Sequence, residues 1–134
     1  MWRLVSWERH FEDGTSQRDP RTESYIIYTE TGHMCFVAMD PDRPEWNSSG
    51  APTAEEALSA IAGFATYCGT VEVNLEERYV VHHVEMELRP NSVGVSRRRF
   101  FEFTGPDQIV LTVDPAELRP PVVASTVVWE RVVR

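Results

Sequence analysis

Residues Gly69 to Gly94 read GTVEVNLEERYVVHHVEMELRPNSVG, two alternating segments joined by a short polar turn. Alternation at period two marks antiparallel strands with one face buried. Successive side chains of a strand leave on opposite sides, so His82 and His83 point apart, and one of them must share the side of Val80, Val84, Met86 and Leu88. The apolar phase predicts that this side, with His82 on it, faces an interior. In the other phase His83 and Glu85 stand side by side inside, with Arg99 of the next strand placed to neutralise the carboxylate. A slip of one residue exchanges the two sets.

Working outward, WRLVSWERHF (2–11) alternates and reads as a strand, and residues 12–22 read as a polar loop. SYIIYT (24–29) and HMCFVAM (33–39) form a hairpin across Glu30-Thr31-Gly32. Residues 40–52 are rich in Pro, Asp, Asn, Ser and Gly and predict an irregular loop, a candidate flap over one mouth of the fold. Thr53 followed by Glu56 is a capping-box signature, and Ala57, Leu58, Ile61, Ala62, Phe64, Ala65 and Cys68 recur at helical spacing until Gly69. This predicts the one long helix. Strands follow at 70–74, 79–88, 95–103, 108–113 and 122–133, which makes three before the helix and five after it. Eight regularly spaced strands with turn signals between them predict an all-β fold, a closed barrel or a sandwich, with one helix between strands three and four.

With 134 residues and 42% hydrophobic side chains, the chain has the size and core of a single domain, 1–134. Its formal charge of -8 repels phosphate backbones and anionic lipid, which argues against nucleic acid and membrane partners. Within Arg97-Arg98-Arg99 the middle residue faces away from its neighbours, predicting solvated surface with one inward arginine. All thirteen basic residues are arginine, so lysine Schiff-base chemistry with a retinal-like aldehyde or pyridoxal phosphate is excluded, and no cofactor is expected. Two cysteines, Cys35 and Cys68, make no disulfide framework in a domain of this size, and Cys68 reads as a small buried apolar residue. Without a recognisable leader or a spanning apolar run, the expected location is a reducing cytoplasm.

Several pieces in order carry a resemblance. They are Trp2-Arg3-Leu4-Val5-Ser6, Tyr25-Ile26-Ile27-Tyr28-Thr29 with Gly32, Glu55-Glu56-Ala57-Leu58, Tyr67-Cys68-Gly69-Thr70, His82-His83-Val84-Glu85, Pro90-Asn91-Ser92-Val93-Gly94, Arg99, and Val128-Trp129-Glu130-Arg131. Together they resemble the bacterial and fungal lipocalin-like domain family over nearly the whole chain. The resemblance implies an eight-stranded antiparallel lipocalin-like β-barrel, in a family whose members are often small-molecule binders or accessory proteins of secondary metabolism. In lipocalins an arginine of the last strand packs over the first-strand tryptophan, which assigns Trp2 and Arg131 to a structural clamp of cation on ring.

The candidate site residues follow from this frame. A metal site at His82 and His83 is disfavoured, because adjacent strand residues diverge and no further His or Cys lies at chelating spacing. A histidine in an apolar lumen can instead exchange a proton with a bound enol or carbonyl compound, or serve only as a hydrogen-bonded wall residue. The catalytic candidates are therefore His82, His83 and Glu85. Tyr25, Tyr28, Phe36, Met39, Tyr67, Met86, Arg99 and Phe101 are candidates for lining the pocket, against the alternative of a barrel filled by its own side chains. The expected partner is a small, largely apolar, oxygenated metabolite. The alternatives are a cofactor-independent isomerase or cyclase of a polyketide-like or terpenoid substrate, and a non-catalytic interaction protein with a filled barrel.

Overall fold

The computed structural model describes residues 1–47 and 49–133, and its strands form one sheet that closes on itself. In chain order these are β1 (Trp2–Phe11), β2 (Ser16–Arg18), β3 (Glu23–Tyr28), β4 (His33–Met39), β5 (Phe64–Asn74), β6 (Tyr79–Glu87), β7 (Ser96–Gly105), β8 (Gln108–Val113) and β9 (Val122–Arg131). From β3 onward each strand pairs antiparallel with the next, and β9 pairs with β1 from Phe11↔Val122 to Trp2↔Arg131, so eight strands make a closed barrel. The other edge of β1 is shared: Trp2 and Arg3 pair with β3, whereas Glu8 to His10 pair with β2. Closure removes the free edge on which an open sheet would aggregate.

The short strand β2 lies in the stretch expected to be a polar loop. Counting it, the helix α1 (Ala54–Ala62) follows β4 and not the third strand, which corrects its expected place. The capping box is present, with Thr53 Oγ1 accepting from the Glu56 amide at 3.2 Å and Glu56 Oε1 accepting from the Thr53 amide at 2.9 Å. The helix stops at Gly63, six residues before the expected end. Residues 64–68, FATYC, are a short, mostly apolar run that periodicity alone cannot assign to helix or strand, and pairing of residues 64–70 with β4 decides for the strand. The loop from Asp40 packs against α1 through Arg43, which donates to the Ala60 carbonyl at 3.2 Å and lies over the Phe64 ring. Its described residues line neither barrel chamber, so the flap over a mouth is not formed by them.

Moving residues 64–68 into β5 sets Cys68 directly across from Cys35 on β4, and the two form a disulfide, Cα to Cα 4.1 Å. The cysteines are therefore bridged across neighbouring strands, contrary to expectation. Disulfides persist in oxidising compartments, so the inference of a reducing cytoplasm loses its basis. No helix among the described residues is long and apolar enough to cross a membrane.

One irregularity decides which side chains enter the barrel. Between β5 and β6 the register runs Gly69↔Val84 and then Cys68↔Met86, leaving Glu85 as an extra, bulged residue. A side chain on Gly69 would land on the carbonyl oxygen of His83 and within 3.1 Å of the Glu85 amide nitrogen, so only glycine fits the approach. Val80, His82 and Val84 face inward as expected. Beyond the bulge the phase reverses: Met86 is 63% exposed on the outside, while the Glu87 side chain turns inward and is 6% exposed. The core that holds the barrel is Trp2, Ile26, Met34, Tyr67, Val84, Ile109, Leu111 and Trp129. Burial of these large side chains against one another supplies the main driving force, at about 25 cal/mol per Å² of apolar area.

Candidate functional site

The barrel interior holds two chambers separated by a polar partition. The first, of about 230 Å³, is walled by Trp7, Phe36, Tyr67, Trp129 and Leu111, with Arg21, Arg89, Arg97, Arg99 and Glu87 among its polar groups. The second, of about 220 Å³, lies toward the Trp2 end and is lined by Val71, Val73, Leu75, Val80, Phe101, Phe103 and Ile109, with Tyr28 and Leu111 at its inner end. We call them the arginine chamber and the apolar chamber.

The partition is a chain of three side chains from three strands. His82 of β6 is 1% exposed, and its Nε2 is 2.9 Å from the Tyr28 hydroxyl of β3 while its Nδ1 is 2.9 Å from the Tyr67 hydroxyl of β5. Both rings tilt against the imidazole at centroid distances of 5.6 and 5.8 Å. Burial, aided by the positive charges of Arg99 and Arg97, pushes the His82 pKa down to about 3, so at neutral pH the ring is uncharged and has one donor and one acceptor. Burial raises both tyrosine pKa values, against the pull of Arg99, and for Tyr67 also of Arg97. Tyr28 reaches a chamber whose other lining residues are apolar except for Thr29, where an unpaired O–H would be costly. The arrangement that leaves no orphan has Tyr28 donating to Nε2 and Nδ1–H donating to the Tyr67 oxygen. The Tyr67 O–H is then left for a group in the arginine chamber.

The low pKa of His82 fixes a sign for acid stability. Its folded pKa lies below the unfolded value near 6.5, so between pH 6.5 and about 3 the unfolded chain binds a proton that the folded chain refuses. Stability contributed by neutral His82 is full above that window and is lost as pH falls through it. At pH 5 the loss should be about 2 kcal/mol relative to pH 8. Urea unfolding of wild type and His82→Leu at both pH values checks this: the loss should be smaller by that amount in the variant, and equal losses would contradict it.

Around the mouth of the arginine chamber, charges are held by neighbours. Arg97 Nη2 lies 3.0 Å from Glu87 Oε2 and its guanidinium sits 4.5 Å above the Tyr67 ring. The ion contact is short, but Oε2 is out of line for a hydrogen bond and has no partner. Arg99 pairs with Glu117 at 3.1 Å, and Arg21, over the Trp7 ring, pairs with Asp19 at 2.7 Å. Buried Asp19 also takes Arg9 at 3.1 Å; burial pushes its pKa up, but hydrogen bonds and charge from Arg21 and the Arg9 charge bring it below the usual carboxylate range. It ties the segment after β2 to the barrel mouth.

Of the residues picked from the sequence, His82, Tyr67, Phe36 and Arg99 meet in the arginine chamber, and Tyr28 and Phe101 face the apolar one. Tyr25 is 42% exposed on the outer face, Met86 is turned out by the bulge, and Met39 lines neither chamber. His83 and Glu85 do not form an interior pair: His83 bonds Ser96 at 2.9 Å on the outside and lies 3.3 Å from Glu72, and Glu85 is exposed in the bulge. Two arginines of the triplet, Arg97 and Arg99, face the chamber, where one inward arginine was expected. Period-two alternation through that triplet is the signal that could have found both. Glu87 could not be found so, because the bulge that turns it inward leaves no mark in hydrophobic pattern. Trp7, Arg21 and Arg89 were also missed, the last two because loops carry them to the mouth.

The first- and last-strand clamp is formed, with the Arg131 guanidinium 4.4 Å over the Trp2 ring. A family model described as a lipocalin-like domain matches residues 1–132. A search of curated proteins finds no significant match. With that match spanning nearly every residue of a closed antiparallel barrel, the chain belongs to the lipocalin-like domain family.

Proposed function

We propose that the arginine chamber binds a small, largely apolar, oxygenated metabolite, with Tyr67 as the polar handle and His82 as the group that orients it. The barrel fold of the family suits small-molecule binding in general. The observation that carries the finer reading is the buried Tyr28–His82–Tyr67 chain, which ends on the Tyr67 hydroxyl beside about 230 Å³ of space walled by aromatic rings. Apolar walls supply affinity and a few placed polar groups fix orientation. An accessory role in secondary metabolism is consistent with such a ligand.

The experiment uses 2-acetylnaphthalene and naphthalene, which differ by one carbonyl, titrated while tryptophan fluorescence of the chamber walls is followed. Tyr67→Phe should weaken the ketone by about 1 to 3 kcal/mol, the cost of an unmet hydrogen bond, and leave naphthalene unchanged. Equal effects on both compounds, or none, would remove Tyr67 as the handle.

An isomerase or cyclase is the second reading, favoured by a chain through which a proton could pass between chambers. A pKa near 3 makes His82 a weak base at neutral pH, which argues for binding over proton abstraction. Two chambers of this size weigh against an interaction protein with a filled barrel.

A further inference from the structure

The polar groups of the arginine chamber are unequal in kind. Four guanidiniums line it, those of Arg21, Arg89, Arg97 and Arg99, against one carboxylate, Glu87. Behind the wall, Asp19 is shared by Arg9 and Arg21, and Glu117 holds Arg99, which makes five guanidiniums to three carboxylates. Arg89 has no carboxylate partner among the described residues. The remaining polar groups also donate: Tyr67 has its O–H, and the indole N–H of Trp129, a wall residue 2% exposed, has no hydrogen-bond partner. A chamber of donors and positive charge in a chain of net charge -8 is a local reversal that solubility does not require.

Glu87 is the odd group. Its carboxylate is almost buried and contacts Arg97 at 3.0 Å without a well-aligned hydrogen bond, so the strongest pairing geometry of a guanidinium, two parallel N–H bonds to one carboxylate, is not used. Arg97 and Arg99 also act together on the partition, both placing positive potential at His82 and Tyr67. A neutral ketone would use one donor there and leave the guanidiniums as they are.

We propose that the ligand of the arginine chamber is an organic anion, a carboxylate or enolate on a flat apolar body, whose oxygens face Arg97 and Arg99 in competition with Glu87. The flat body lies against the wall that Trp7, Phe36 and Trp129 form by packing edge to face, and the Tyr67 O–H donates to the same anionic oxygens. This rests on the reading that the lumen binds a small molecule, and it adds the charge of that molecule. Glu87 then has a defined effect: as a like charge at the site it weakens the ligand, and its pairing with Arg97 offsets one of the chamber's positive charges.

The test titrates wild type, Arg99→Gln and Glu87→Gln with 2-naphthoate and with 2-naphthamide, which share shape and differ in charge, by calorimetry at low and high salt. Wild type should prefer naphthoate at least tenfold, and salt should erode that preference. Arg99→Gln should weaken naphthoate about 5- to 20-fold, and Glu87→Gln should tighten it about 3- to 10-fold, with naphthamide within twofold in both. Tightening on removal of a buried, ion-paired carboxylate is the outcome a merely structural role does not produce. If Glu87→Gln loses naphthamide as well, its chamber has rearranged and Arg99→Gln decides. If naphthamide binds as well as naphthoate and Arg99→Gln does not separate them, the anion proposal fails while lumen binding stands. If neither compound binds wild type, both fall.

Discussion

Trp2→Ala should lower unfolding free energy by about 3 to 5 kcal/mol, because truncating a buried aromatic loses transfer energy and leaves a cavity. Trp2 belongs to the core cluster, pairs with both Ile26 and Arg131 on its two neighbouring strands, and stands 6.4 Å from Phe103. It therefore sits where the sheet closes, and the space it fills opens on the apolar chamber. Little backbone can collapse into it, since β1 is held along its length by β9. The Arg131 side chain stacked over it is about half exposed, so Arg131→Ala should cost only about 0.5 to 1 kcal/mol. Urea midpoints of the two variants check the contrast. Equal, small shifts would mean that neither ring burial nor closure depends on Trp2.

Gly69→Ala should cost about 3 kcal/mol, the upper end of what overpacking does, since the added methyl meets backbone and no side chain can swing away. The strand would have to leave Val84 or expel the bulge, and either change pulls His82 from its two hydroxyl partners. The diagnostic is a pair of variants. Deleting Glu85 removes the extra residue while keeping Val84, Met86 and Glu87 on their present sides, so Gly69→Ala with Glu85 deleted should recover most of the loss. Thermal melts of the single and combined variants measure this. A combined variant as unstable as Gly69→Ala alone would show that the bulge is not what the glycine serves.

The bulge also marks the limit of what hydrophobic pattern could reveal. Alternation through Val80, His82 and Val84 favoured His82 inside and left the phase with His83 and Glu85 inside as the alternative, because a period of two fixes which side chains share a side but not which side is the interior. One extra backbone residue reverses that rule without altering composition, so Met86 was expected inside and Glu87 outside. The helix end failed for a related reason: residues 64–68 are a short, mostly apolar run without a decisive period, and only pairing with β4, a contact distant in sequence, selects the strand. From that one error followed the missed disulfide, since a Cys68 on a helix has no fixed neighbour. The aromatic and histidine parts of the site, with Arg97 and Arg99 of β7, were legible as strand residues, while Arg21 and Arg89 come from loops, the first held by Asp19.

The disulfide has a consequence for the other side of the sheet. Cys35 and Cys68 are joined on the outer surface, and the next residues on the same two strands, Phe36 and Tyr67, are paired with each other and look into the arginine chamber. Their rings lie 5.2 Å apart. The wall against which a ligand would rest is thus backed by a covalent rung, so part of its loss of freedom is met when the chain folds and is not charged again on ligand entry. A guest would meet a stiff panel, and its affinity would owe something to a bond it never touches.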